Sequence, residues 1–270
     1  MTTASDAEPR TYDVAVLRKM LDLVETLVAN GPAGVTELSA MAGVSKPAAF
    51  RILSTLEGRG YVEKDASSRK YSSGPSLIKL SGSVLAGLEL VQQARPVLEQ
   101  LHERFGETVN LGVAVQAQVV YIDILERTSG LRTTVQVGSG DPMVSTALGK
   151  AILSSMTAEE AHAVYSRQAP ARRTPRTIVD WKQFRAELAS TAARGYAVDN
   201  EENEIGSRCV AAAIFDAGGR PSAAMSISGP VSRIRDDQLA EIGEQLIEAA
   251  ATVERLIGGR RPPHLRFAEQ

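Results

Sequence analysis

Residues 36–72, TELSAMAGVSKPAAFRILSTLEGRGYVEKDASSRKYS, constrain this chain more than any other stretch. Leu38 and Met41 fall at helical spacing and are followed by Gly43-Val44-Ser45, where a glycine permits a tight turn. A second helical stretch then carries Ala49, Ile52, Leu53 and Leu56 on one side and Lys46 and Arg51 on the other. Helix, tight turn and second helix make the helix-turn-helix plan, whose second helix enters the major groove of DNA. Gly60 ends that helix, Tyr61-Val62-Glu63 alternates like a strand, residues 65–68 read as a turn, and Arg69-Lys70-Tyr71 returns as a second strand. That hairpin is a wing. Upstream, Leu17, Met20, Leu21, Val24, Leu27 and Val28 give an amphipathic first helix that stops at Asn30-Gly31-Pro32 and covers the pair.

The net charge of −2 suits a nucleic-acid binder only once it is localised. Between Ser45 and Leu80 there are seven cations against three anions, a basic surface on an otherwise acidic chain. Ser45 stands where an N-cap is wanted, and Pro47 fits a first helical turn. Lys46 and Arg51 are the candidate DNA contacts, Arg51 by paired hydrogen bonds to a guanine edge or by clamping a phosphate. Phe50 lies on the same side and can meet a thymine methyl; its alternative place is the core, and Arg51's is plain solvation. Arg69 and Lys70 on the wing would meet phosphates, which positions rather than specifies.

Beyond Gly74-Pro75 the chain reads helical from Leu77 to Leu90, and an amphipathic helix follows over Pro96 to Phe105. Strands are expected at 108–115, 119–126, 131–137, 209–215 and 222–228, with helices near 148–155, 159–165, 181–194 and 236–257. Hairpin order with flanking helices predicts an antiparallel α+β domain. The lone Cys209 cannot form an internal disulfide, and with only His102, His162 and His264 a His/Cys zinc site is not expected. No metal or cofactor is expected. No run of about 18 apolar residues exists to span a membrane. MTTASDAEPR lacks the apolar core of a signal peptide, so a cytoplasmic location is expected.

Two features of the second half suggest a small-molecule site. Ser145 to Gly149 opens a helix, where unpaired N–H groups can seat an anion. A nucleotide P-loop is rejected at Gly149-Lys150, because Val144 stands at the first glycine position and Ala151 replaces the Ser or Thr. Ser226 and Ser228 alternate on a strand, so both hydroxyls share a face.

The motifs LEGRGYV, ARPVLEQL, VVYIDILE, STALGKAIL, RGYAVDNEENEIGSRCVAAAIFD and SISGP together make the chain resemble IclR-type transcriptional regulators from about Val14 to Ile257. The resemblance implies a winged helix-turn-helix over 11–74, a linker helix over 75–92, and a GAF-like effector domain over 93–258 with a curved antiparallel sheet flanked by helices. Residues 1–10 and 259–270 would be flexible tails. It further implies homodimers, often paired into tetramers, on pseudo-palindromic double-stranded DNA operators of carbon-compound operons. Asp199 and Cys209 match positions that line the family's effector pocket, and the resemblance places Ala147, Leu148, Ser226 and Ser228 there too. Leu131 and Met143 would form an apolar wall. Family members often carry Ser or Thr where this chain has Pro47 and Ala48, so fewer groups remain to read bases.

Plainer roles stay open for several of these residues. Cys209 can be a small buried hydrophobe, the strand serines can bond to neighbours, and Asp199 can belong to a solvated acidic loop. Arg167, Arg172, Arg173 and Arg176 read as a solvated linker, and Arg260-Arg261 as part of a disordered tail. The leading expectation is a ligand-switched regulator, a repressor relieved by a small organic acid. Its carboxylate would sit at Ala147–Gly149, and Ser226, Ser228 and Asp199 would hold its other polar groups. Two other classes remain: an enzyme with Cys209 as nucleophile, lacking a histidine to activate the thiol, and an architectural DNA-binding protein with no ligand.

Overall fold

The computed structural model describes residues 14–80, 89–127, 135–167 and 170–262. The chain divides into two compact units, Met1–Gly87 and Leu88–Gln270.

In the first unit, α1 (Ala15–Asn30), α2 (Val35–Met41) and α3 (Lys46–Gly58) precede a hairpin of β1 (Val62–Lys64) and β2 (Tyr71–Ser73). Leu23 and Leu27 of α1, Leu38 of α2, and Ala49, Ile52, Leu53 and Leu56 of α3 close one apolar core with Val44, Val62 and Tyr71. The Gly34 N–H donates to the Glu37 carboxylate at 2.8 Å, satisfying a donor at the start of α2. Gly43 adopts φ +63 in the turn, a conformation that glycine tolerates without a Cβ penalty. Ser45 occupies the N-cap position of α3, but its side chain makes no capping bond. Ala33 pairs with Tyr71, which ties the wing back to the start of α2.

The second wing strand begins at Tyr71 rather than Arg69. Arg69 has φ +58 and stands with Lys70 in the turn. Asp65 Oδ1 holds that turn by accepting from Ser67 N, Ser67 Oγ, Ser68 N and Ser68 Oγ. Those bonds hold the exposed Asp65 carboxyl well below the usual carboxylate range. Residues 75–80 are helical. Residues 81–88 of the expected linker helix lie outside the described residues, as does the tail 1–10.

The second unit is a curled antiparallel sheet with helices on both faces. Its elements are α4 (Glu89–Phe105), β3 (Thr108–Val115), β4 (Gln118–Leu125), β5 (Gly140–Pro142), α5 (Ala147–Leu153), α6 (Ala158–Arg167), α7 (Trp181–Arg194), β6 (Ala197–Asn200), β7 (Ser207–Phe215), β8 (Pro221–Pro230), a 3-10 turn (Asp236–Gln238) and α8 (Leu239–Leu256). Six strands pair in the order β5-β4-β3-β8-β7-β6. α4 and α8 pack on one face of the sheet, and α5 packs against β6, β7 and β8 on the other. α4 runs through Pro96.

Two strands are too short for alternation to mark them in the sequence: β5 and β6. The strand expected at 131–137 is not formed at 135–137, and 131–134 lie outside the described residues. The chain past 258 is packed where described. Arg261 pairs with Glu254 at 2.9 Å, donates to the Ala213 carbonyl at 3.1 Å and lies over the Phe215 ring.

Candidate functional site

The first unit presents one polar face. Ser45, Lys46, Pro47, Phe50, Arg51 and Ser54 of α3 are all exposed, at the spacing of a single helical side. The opposite side of α3 is the core described above. Phe50 is 52% exposed, so it is not a core residue. Lys64 of the wing places its ammonium 5.9 Å from the Phe50 ring centre and 5.2 Å from that of Tyr71. A cation–π contact of this kind holds a positive charge beside the helix face, and Lys64 adds a cation that the reading of the wing tip did not include. Arg69 and Lys70 are exposed at that tip.

The second unit holds a cavity of about 360 Å³ on the α5 side of the sheet. Strand register builds its floor. Asp199 pairs with Cys209, and Cys209 pairs with Ser228, giving one row across β6, β7 and β8. Ser226 pairs with Asn110 of β3, one period away on the same face. The Asn110 amide lies 3.2 Å from Ser226 Oγ and 3.0 Å from Ser228 Oγ. Its other polar atom has no partner, although Asn110 is only 3% exposed. Ala147 and Leu148 of α5, with Thr146, close another wall.

Asp199 Oδ1 accepts from the Glu202 N–H at 2.8 Å and the Asn203 N–H at 3.3 Å. Burial pushes its carboxyl up to about 7; Lys150 pulls it down and Glu202 pushes it up. Beneath it, fully buried Lys150 donates to Glu202 Oε1 and to the Val198 carbonyl, each at 2.5 Å, which fixes the strand–loop junction carrying Asp199. Cys209 is partly open to the cavity. Burial, then Asp199, pushes its thiol up to about 12, so it stays protonated and poorly nucleophilic. His102 bonds the Glu107 carbonyl and His162 meets the Trp181 ring edge-on; neither borders the cavity.

The mouth was not legible beforehand. Arg173, read as a solvated linker residue, lines the cavity with Asp141 and Tyr121. Arg173 Nε donates to the Asn203 carbonyl at 3.1 Å, and its Nη1 lies 3.7 Å from Asp141 Oδ1. The Tyr121 hydroxyl donates to Asp141 Oδ2 at 3.1 Å, and burial with that carboxylate pushes the phenol far above its ordinary range. Val135, rather than Met143, supplies an apolar wall. Met143 is buried in the core, and its backbone presses on Gly149 so closely that a Cβ there would come within 2.2 Å of Met143 Cα. Gly149 does not line the cavity, and its N–H is already bonded to the capping Thr146 Oγ1 at 3.2 Å. Leu131 lies outside the described residues.

A helix-turn-helix with a wing, joined in one chain to a domain with a polar cavity, points to the class of DNA-binding transcriptional regulators. Residues 16–66 match the IclR helix-turn-helix domain, and residues 82–255 match the bacterial transcriptional regulator IclR C-terminal domain. The chain belongs to the IclR family of transcriptional regulators. It is 35% identical over 261 residues to the acetate operon repressor of Salmonella typhimurium, covering 96% of this chain and 95% of that one. It is likewise 35% identical over 256 residues to the transcriptional repressor IclR of Escherichia coli, covering 94% and 93%. The crystal structure of the Thermotoga maritima IclR superimposes with a TM-score of 0.68 at 32% identity, covering 90% of this chain and 98% of that one. These relatives are regulators, and no helix among the described residues is long and apolar enough to cross a membrane.

Proposed function

We propose that this protein is a repressor of a carbon-compound catabolic operon in the cytoplasm, released from its operator when a small organic acid enters the cavity. One observation carries the reading: five polar side chains from four strands (Asn110, Asp199, Cys209, Ser226 and Ser228) meet on the face of a cavity that a small metabolite fills. Packing alone does not call for that many polar groups on an inner face, and a buried polar set of this kind has a natural use in recognition. Ser45, Lys46, Phe50 and Arg51 would meet bases and backbone in the major groove, with Arg69 and Lys70 on phosphates. The relatives from S. typhimurium and E. coli are repressors, which supports the sign of regulation.

A homodimer on a pseudo-palindromic site is part of the proposal. Val14, Leu17, Leu21 and Val28 of the first unit are each at least 50% exposed at heptad spacing, a seam that no other described residue covers. Arg18 and Glu25 flank it, and a two-fold axis near Leu21 brings opposite charges together across antiparallel copies. The ligand acts only as far as it binds one arrangement of the dimer better than the other. Gel shifts on the promoter region adjoining the gene, with candidate acids added, test operator, effector and sign together. A shifted band released by one acid is expected; a band that no small molecule releases, from protein whose cavity binds nothing, sinks the reading.

A further inference from the structure

The geometry points to Lys64 of the wing as a DNA-positioning residue. Its ammonium, held by the rings of Phe50 and Tyr71, takes a backbone phosphate beside the groove that α3 fills. This rests on the exposed face of α3 being the face that reads DNA.

Strand pairing places the side chain. Lys64 lies opposite Tyr71 in the wing hairpin and two residues from Val62, so all three share the hairpin's inner face. Val62 and Tyr71 are each 1% exposed, whereas Lys64 is only partly buried. Its stem therefore leaves the edge of the core, and its ammonium comes out beside the exposed Phe50. The two ring contacts, at 5.2 and 5.9 Å, restrain a side chain that is ordinarily mobile. Less order then remains to be imposed when the ammonium meets an anion.

No carboxylate among the described residues answers that charge. Glu63 points to the other face of the strand, and Asp65 Oδ1 is taken by the two serines of the turn. Lys46, Arg51, Arg69 and Lys70 likewise pair with no carboxylate among the described residues. The second unit does the reverse: Arg95, Arg104, Arg194, Arg208 and Arg261 each hold a carboxylate at 3.2 Å or less. Cations left unpaired on one face stand ready for an external anion. DNA offers that anion in a fixed place, because a helix filling the major groove has a sugar–phosphate strand along each side. Lys64 stands beside α3 at the level of Phe50. A phosphate bound there fixes the register of α3 in the groove without reading sequence.

Fluorescence anisotropy of the full chain over a salt series tests this, on a duplex from the promoter region adjoining the gene and on a scrambled duplex of equal length. Lys64→Gln should weaken both duplexes by the same factor, about fivefold per protomer at about 0.1 M salt. The slope of log Kd against log salt should fall by about one for each protomer bound. Lys64→Arg should keep the native slope, since a guanidinium retains both the charge and the ring contact. A lysine that only clamps the wing to α3 would leave the slope alone, because lost packing changes no counterion release. An unmoved slope in Lys64→Gln, or one lowered equally by Lys64→Arg, overturns this contact while native binding upholds the DNA face. A native chain that binds neither duplex, even at low salt, overturns the DNA face and this contact with it.

Discussion

The two units place their functional side chains in opposite settings. On α3 the residues proposed to face DNA lie within one short stretch, all exposed, supported by a core to which they contribute nothing. In the cavity the side chains come from positions as far apart as Asn110 and Ser228, and Asn110, Asp199, Ser226 and Ser228 are all at most 4% exposed. A solvated face can be altered with little effect on folding, since its groups were hydrated before and after folding. A buried polar floor cannot, because each group needs its partner whether or not a ligand is present. With the proposed roles, DNA recognition and stability are separable in the first unit, while ligand recognition and stability are entangled in the second.

The largest test of that contrast is Lys150→Met. Losing the ammonium leaves Glu202 buried without its partner, so urea unfolding should show the second unit destabilised by about 3–5 kcal/mol. Burial already pushes the Glu202 carboxyl up, so the loss should be smaller at pH 5 than at pH 8, where the unpaired charge cannot be discharged. A loss below about 1 kcal/mol at pH 8 would show that this network is not what holds the junction.

Next comes Asp199→Asn. Its carboxyl sits at about 7 in the folded chain against an ordinary 3.8. Between those values the folded state binds more protons than the unfolded one, so this group's contribution to stability is full below about pH 4. It falls as pH rises through 7 and is level above. Removing it should flatten that slope, a change on the order of 4 kcal/mol across the window, measured by thermal melts from pH 4 to 8. A slope identical to that of the native protein would place the titration elsewhere.

Arg51→Ala belongs to the other side of the comparison. Operator affinity should fall by about 1–3 kcal/mol with the melting temperature unmoved, read by gel shift at fixed salt. An unchanged shift removes Arg51 from the interface, and a lowered melting temperature breaks the claim that the face is separable. The smallest effect is Ser226→Ala with Ser228→Ala, which should weaken the effector response by about 1 kcal/mol per lost hydroxyl while DNA affinity stays intact. A normal response in the double variant takes the serines out of the site.

The legible parts of the fold were those with a long period or a fixed partner at short range. α7 was read at Trp181–Arg194 and found there, since Asp180 caps it and Gly195 ends it. The β7–β8 hairpin was anticipated because its turn, residues 216–219, is dense in Gly and Asp. β5 and β6 were missed because three or four residues give alternation too little room, so for Asp199 a solvated acidic loop stayed open beside its place in the pocket. Ser226 and Ser228 share the floor as alternation required. Arg173 was misread because it sits in an irregular segment with three other arginines nearby, and nothing in such a run says which one turns inward.

What the sequence alone determined is the helix-turn-helix and its exposed basic face, since turn chemistry and helical period are local and the reading side chains follow from them. It also supplied, through resemblance, the residue types of the cavity. Only the tertiary structure decided which of them meet. Strand register set Asn110 against Ser226 and Asp199 against Cys209. Close packing of Met143 on Gly149 removed both from the cavity wall, and the path of one irregular loop brought Arg173 to the mouth. Register and packing are settled by contacts between residues distant in the chain, and no window of sequence contains them.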